Sequence, residues 1–178
     1  DAESPSDFLE RRQKSFSLIK KDLGKNTPEI LLGAEIAYFE GMKNCRELKE
    51  LAIEKAGLLL IEMPMTEWTE RMLSDTIEKV PLLAHIDRYQ LSHGELSLVR
   101  DYVRNGGMVQ ANAASFLHFA TCGKMIRMID SGLVHLLGSD CHNTVSRPPN
   151  LGTAVEKIKK KAGMNPIRLI EAAQNKVF

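Results

Sequence analysis

Two glutamates, two histidines and an aspartate stand where apolar runs give out, and together they offer the donors a divalent cation needs. Glu35 lies at the end of the run Ile30 to Ile36, Glu62 ends Leu58-Leu59-Leu60-Ile61, and His85 ends Pro81 to His85. Asn112 follows Met108 to Ala111, and Asp140 and His142 follow Leu133 to Gly138. Carboxylates and imidazoles in combination suit Zn, Mn or Fe. In an extended Asp140-x-His142 both side chains fall on one face, so one ion or two adjacent ions could share them. A carboxylate inside LLLIEMP needs a cation, a proton or a hydrogen-bond network, because a buried unpaired charge is costly. Singly, each residue has an ordinary structural reading: Glu62 as a buried acid satisfied by backbone or arginine, His85 as a core histidine. Their shared placement at strand ends favours a metal site. Arg88 and Arg147 follow in loops at the same end. A guanidinium beside a metal cluster suits the bidentate geometry of phosphate, although either arginine alone reads as a surface residue. His135 falls at a strand start and reads as structural. His93 and His118 fall in helices and read as surface or packing residues.

The elements that must position these residues alternate. Ser4-Pro5-Ser6-Asp7 is a helix start, with Gly24 available to end it. Asn44 with Glu47 predicts a helix to about Lys55, and a further helix is expected from about Thr66 to Lys79. Ser92 with Glu95 forms a capping box for a helix ending near Asn105. Helices are also expected over about 115–131, 153–162 and from Asn165 to about Ala173. Five nearly uniform apolar strands between helices predict an α/β fold with a parallel sheet. A closed (β/α) barrel of eight units runs to about 250 residues. The pattern therefore fits an open parallel sheet or most of a barrel lacking its first units.

The chain has 178 residues, a formal net charge of +1 and 43% hydrophobic residues, which allows one domain with a sizeable core. That balance gives no electrostatic case for nucleic acid or for an anionic membrane. Lys157 to Lys161 (KIKKK) reads as the solvated last turn of a helix, since no aromatic residue interleaves it. Cys45, Cys122 and Cys141 are widely spaced and odd in number, as in a reducing, cytoplasmic compartment. No apolar run approaches the roughly 20 residues that cross a bilayer, so no membrane insertion is expected. The chain opens on Asp rather than Met, and a processed or partial product is expected.

GAEIAYF, LLLIEMP, PLLAHIDRY, MVQANAASF and VHLLGSDCHNTVSRPPNLG, in this order, resemble the PHP (polymerase and histidinol phosphatase) superfamily. The likeness is greatest to its bacterial tyrosine-protein phosphatase branch, associated with capsule and exopolysaccharide regulation, and runs from about Asp7 to the C-terminus. The combination of AHxxRY, SDxHN and RPP carries it. The resemblance implies parallel (β/α) units forming most of a distorted seven-stranded barrel, as one domain over 1–178 with the first strands missing. It implies a cluster of about three metals, commonly manganese, with iron or zinc as alternatives. Glu35 would bridge two metals, Glu62, His85, Asp140 and His142 would be ligands, and Arg88 and Arg147 would contact phosphate. The implied reaction is attack of a metal-held hydroxide on phosphotyrosine in the tail of a tyrosine autokinase.

Two departures stand out. The family's opening His-x-His motif is absent from this sequence, so weak or incomplete metal binding is expected of the chain alone. The family's HPER reads here His85-Ile86-Asp87-Arg88, which keeps the arginine. Rival readings are a PHP phosphatase for a small ester such as histidinol phosphate, and a non-catalytic remnant with a regulatory or binding role. Homo-oligomerisation is left open.

Overall fold

The computed structural model describes residues 3–77 and 81–178. Among these described residues, five strands form one parallel sheet in sequence order: β1 (Glu35–Ala37), β2 (Leu59–Glu62), β3 (Pro81–Leu83), β4 (Met108–Asn112) and β5 (Leu136–Gly138). Seven α-helices accompany them among the described residues: α1 (Pro5–Lys20), α2 (Glu70–Ile77), α3 (His93–Arg104), α4 (Ala114–Leu117), α5 (Phe119–Asp130), α6 (Leu151–Ala162) and α7 (Asn165–Val177). Parallel neighbours need crossovers, and consecutive order means that each strand is laid beside the one before it.

Alternation along the strands divides the sheet into two faces. Leu59, Ile61, Leu83, Val109 and Ala111 share one core with Val99 and Tyr102 of α3, Met125 and Ile129 of α5, and Ile158 of α6. The opposite face turns Leu60, Leu82, Gln110 and Leu136 into a cavity of about 460 Å³, closed in part by Ile167 and Ile170 of α7. The candidate residues Glu35, His85, Asn112 and Asp140 line this same cavity.

Several elements differ from expectation, each for a local reason. The run Ile30 to Ala34 is not a strand: Ala34 N–H donates to Leu51 O and Glu54 N–H to Leu32 O, so it is spent on the segment before β2. Strand β1 therefore starts at Glu35, paired with Leu60, and Glu35 opens the strand instead of closing it. The helix expected from Asn44 to about Lys55 is two short 3-10 turns, Met42–Asn44 and Glu47–Leu51, separated by an extended Cys45. The first buries Met42, and in the second the inward Leu48 and Leu51 are three apart, the 3-10 period. Helix α2 starts at Glu70, after Thr69 Oγ1 accepts from Met72 N–H; the expected end at Lys79 lies outside the described residues. The helix expected over 115–131 is broken by an extended His118 into α4 and α5. The capping box Ser92/Glu95 is formed as expected.

The loop after β1 is tied to α2 by Asp75, which is 2% exposed. Its Oδ2 accepts from Gly41 N–H at 3.2 Å and from the Tyr38 hydroxyl at 3.4 Å, and Lys43 Nζ lies 3.4 Å from Oδ1. The Gly41 N–H, with Lys43 and Tyr38, holds the carboxyl below its ordinary range. A carboxyl pKa lower in the folded state stabilises the fold above the unfolded value, and that stability is lost as pH falls through the folded value. Asp75→Asn is expected to lower stability at pH 7 by about 1–3 kcal/mol. Urea unfolding at pH 7 and below pH 4 checks this: the gap between wild type and variant should narrow in acid, and an equal gap at both would refute the role.

Candidate metal centre

The carboxyl ends of β2, β3, β4 and β5 bring the expected side chains to one rim, with Glu35 of β1 reaching up to meet them. Glu62 closes β2. His85 follows β3 by two residues in a left-handed conformation, φ +32°, and is buried. Asp140 follows β5 by two residues, also left-handed at φ +51°. The expected extended Asp140-x-His142 is thus not formed, because Asp140 is left-handed.

Glu35, Glu62 and His85 each place one donor atom within 4.8 Å of the others. His85 Nε2 lies 2.8 Å from Glu35 Oε1 and 3.5 Å from Glu62 Oε1. The hydrogen bond to His85 holds the Glu35 carboxyl below its ordinary range, against a partial burial that pushes the other way. Behind the imidazole lies the Tyr89 ring, 6.2 Å between centroids, itself braced edge-on by Trp68 at 4.7 Å. The Tyr89 hydroxyl donates to Met63 O at 2.8 Å, and burial pushes its pKa up to about 12. His85 Nδ1 is buried without a hydrogen-bond partner among the described residues.

Two guanidinium groups link this triad to Asp140. Arg88 NH1 lies 3.2 Å from His85 Nε2 and 3.4 Å from Glu62 Oε1, while its NH2 donates to Asp140 Oδ2. Arg147 NH2 donates to the same oxygen, and Asn112 Nδ2 donates to it at 3.3 Å. Asp140 Oδ1 faces His142 Nδ1 at 3.5 Å. His142 is exposed; its Nδ1 bonds the Asp140 carbonyl at 3.0 Å, and its Nε2 lies 3.4 Å from a guanidinium nitrogen of Arg147. Glu35, Glu62 and His85 are therefore gathered in one triad, Asp140 joins them through arginine, and His142 stands one step outside.

The donor set fits a divalent cation. Two carboxylates and an imidazole converge without a lysine among them, and a third carboxylate is within reach of the same arginine. Cys141 is exposed and turns its sulfur toward Asn143 O at 3.7 Å, away from the triad. Two further residues shape the rim. Asp87 Oδ1 accepts from Asn112 N–H at 2.6 Å, joining the turn after His85 to the end of β4, and burial pushes its carboxyl up. Gln110 Oε1 accepts from His85 N–H at 2.5 Å. The readable signal for Gln110 was a single amide inside the apolar run MVQA; for Asp87 it was an acid between two candidate site residues.

The profile of the family described as "Capsular polysaccharide synthesis, CpsB/CapC" matches residues 2–176. The tyrosine-protein phosphatase CpsB of Streptococcus agalactiae serotype V is 28% identical over 177 residues, covering 90% of this chain and 72% of that protein. CapC of Staphylococcus aureus is 33% identical over 163 residues, covering 84% of this chain and 60% of its own. The fold is similar, with a TM-score of 0.76 at 23% identity, to a crystal structure from work on YwqE of Bacillus subtilis and CpsB of Streptococcus pneumoniae. Those two proteins are described as metal-dependent tyrosine phosphatases, and the match covers 96% of this chain and 72% of theirs.

Proposed function

The chain belongs to the CpsB/CapC family of capsular polysaccharide synthesis, and from that premise we propose that it is a metal-dependent phosphoesterase acting on phosphotyrosine in protein. The observation that carries this is the convergence of Glu35, Glu62 and His85 within 4.8 Å, beside an aspartate that gathers two arginines. The tail of a tyrosine autokinase is the proposed substrate, and manganese the proposed metal. We place the domain, 1–178, as the major part of a distorted seven-stranded barrel. Three free cysteines suit a cytoplasmic setting. No helix among the described residues is long and apolar enough to cross a membrane.

Glu35, Glu62, His85, Asp140 and His142 would hold the metal ions. Bound there, the metal supplies Lewis acidity and lowers the pKa of water to the neutral range. The chain's own contribution is to orient the phosphate. Asp140 divides its two oxygens: Oδ2 fixes the Arg88 and Arg147 guanidinium groups, while Oδ1 faces His142. The outward N–H groups of both arginines can then take the non-bridging phosphate oxygens through charge-assisted hydrogen bonds. Phenolate leaves readily, so a strong general acid is not required of the chain.

Phosphate release from a phosphotyrosine peptide, from histidinol phosphate and from para-nitrophenyl phosphate, each with added Mn²⁺ and after chelation by EDTA, tests this reading. Mn²⁺-dependent turnover is expected, with the phosphotyrosine peptide preferred over histidinol phosphate. Preference for histidinol phosphate would transfer the assignment to small esters. Absence of turnover with Mn²⁺, Fe²⁺ and Zn²⁺ alike would leave a binding role.

A further inference from the structure

Gln110 has no part in the chemistry just described, yet it is a half-buried amide on a face otherwise lined by Leu60, Leu82 and Leu136. An unpaired amide there would be costly, and this one has both its oxygen and its nitrogen engaged in a directed relay. The His85 N–H donates to Gln110 Oε1 at 2.5 Å. Gln110 Nε2 donates to Asn112 Oδ1 at 3.2 Å, and Asn112 Nδ2 donates to Asp140 Oδ2 at 3.3 Å. The first donor is a backbone N–H, which fixes the orientation of the Gln110 amide and then of the Asn112 amide. Each hydrogen bond polarises the next, and the series ends on a carboxylate.

Both ends of this relay are strained. His85 and Asp140 occupy the left-handed region, and Lys55 is the only other non-glycine described residue that does so. Such conformations persist only where the surroundings hold them, and they gather at functional sites. Space for the relay is reserved on β5. Gly138 pairs with Asn112, and a Cβ at Gly138 would overlap the Gln110 amide nitrogen.

We infer that Gln110 is a positioning residue for the metal centre proposed above. Its side chain clamps the His85 backbone in the left-handed turn that aims Nε2 at Glu35 and Glu62. Through Asn112 it sets the carboxylate of Asp140 on the far side. The clamp itself is a property of the metal-free chain; its consequence for metal binding rests on the reading given under Proposed function.

Gln110→Leu removes both ends of the clamp at nearly constant volume. Gln110→Glu keeps an acceptor for the His85 N–H and loses the donor toward Asn112. Gly138→Ala displaces the amide without altering it. In the metal-free protein, hydrogen exchange of the His85 amide is expected to quicken about tenfold in Gln110→Leu and in Gly138→Ala, and to stay near wild type in Gln110→Glu. Mn²⁺ affinity by calorimetric titration is expected to fall about 10–100-fold in Gln110→Leu. The double variant Gln110→Leu/Gly138→Ala should be no weaker than the worse single one, because both remove one contact. Unchanged His85 exchange in Gln110→Leu would overturn the clamp, as would equal quickening throughout β3 and β4, the mark of general loosening. Quickened exchange with unchanged Mn²⁺ affinity would overturn its link to the metal. A wild-type chain that takes up no Mn²⁺ would count against the phosphatase reading, while the exchange data would still decide the clamp.

Discussion

Asp140→Asn is expected to reduce Mn²⁺-dependent hydrolysis of a phosphotyrosine peptide by about 10³-fold, the upper range for losing one preorganised electrostatic group. Asparagine is the informative substitution because Asp140 sits at φ +51°, where asparagine is among the few residues that fit without added strain. The backbone turn is then kept and the charge alone is removed. Three donors meet at Asp140 Oδ2: the Arg88 and Arg147 guanidinium groups and the Asn112 amide. Without the carboxylate, two cations face each other with no acid between them, and Oδ1 no longer offers a charged ligand beside His142. The variant should fail in two ways: weaker Mn²⁺ binding, and weaker phosphate binding at saturating Mn²⁺. Thermal unfolding guards against trivial misfolding. Turnover within tenfold of wild type, with unchanged Mn²⁺ affinity, would refute the place given to Asp140.

The strands legible in the sequence were those whose apolar run is consumed by the sheet itself. LLLI, PLL and MVQAN enter β2, β3 and β4 nearly as read, since both of their faces are covered. Ile30 to Ala34 has the same look but bonds a neighbouring loop, a choice made by tertiary partners such as Leu51 and Glu54. Composition cannot show that. The convergence of Glu62 and His85 was legible because parallel strands deliver their carboxyl ends to one side, whereas Glu35 joins them from the start of β1. The left-handed conformation of Asp140 was not legible, because its carboxylate partners Arg88 and Asn112 lie far away in sequence and Arg147 is brought back to it by the loop after His142. Gln110 and Asp87 were passed over because their partners are backbone N–H groups, and those groups carry no residue signature. The lysine run was read as plain solvated surface for want of an aromatic residue nearby. The fold supplies one from another element, with the Phe119 ring 5.6 Å from Lys161 Nζ.

Arg147→Ala is expected to separate phosphate binding from metal binding. Arg147 is presented by a closed turn: Asn143 Oδ1 accepts from the N–H groups of Val145, Ser146 and Arg147 at 2.9, 2.7 and 3.2 Å. His142 N–H donates back to Arg147 O at 3.1 Å. The turn therefore presents the Arg147 side chain toward Asp140, whose Oδ2 fixes its guanidinium. A hydrogen bond to a charged group contributes about 1.5–3 kcal/mol. Loss of Arg147 should then weaken inhibition by inorganic phosphate, and raise KM for the peptide, by about 10–100-fold. Its removal also takes a positive charge away from Asp140, so the Mn²⁺ affinity should hold or tighten. Arg88 is different, because it touches His85 Nε2 and Glu62 Oε1 and its loss disturbs the triad directly, whereas the contact of Arg147 beyond Asp140 is with His142 Nε2, outside the triad. Phosphate and Mn²⁺ titrations on Arg147→Ala decide the matter. A matched loss of both affinities would make Arg147 a support of the metal ligands and leave phosphate recognition to Arg88 alone.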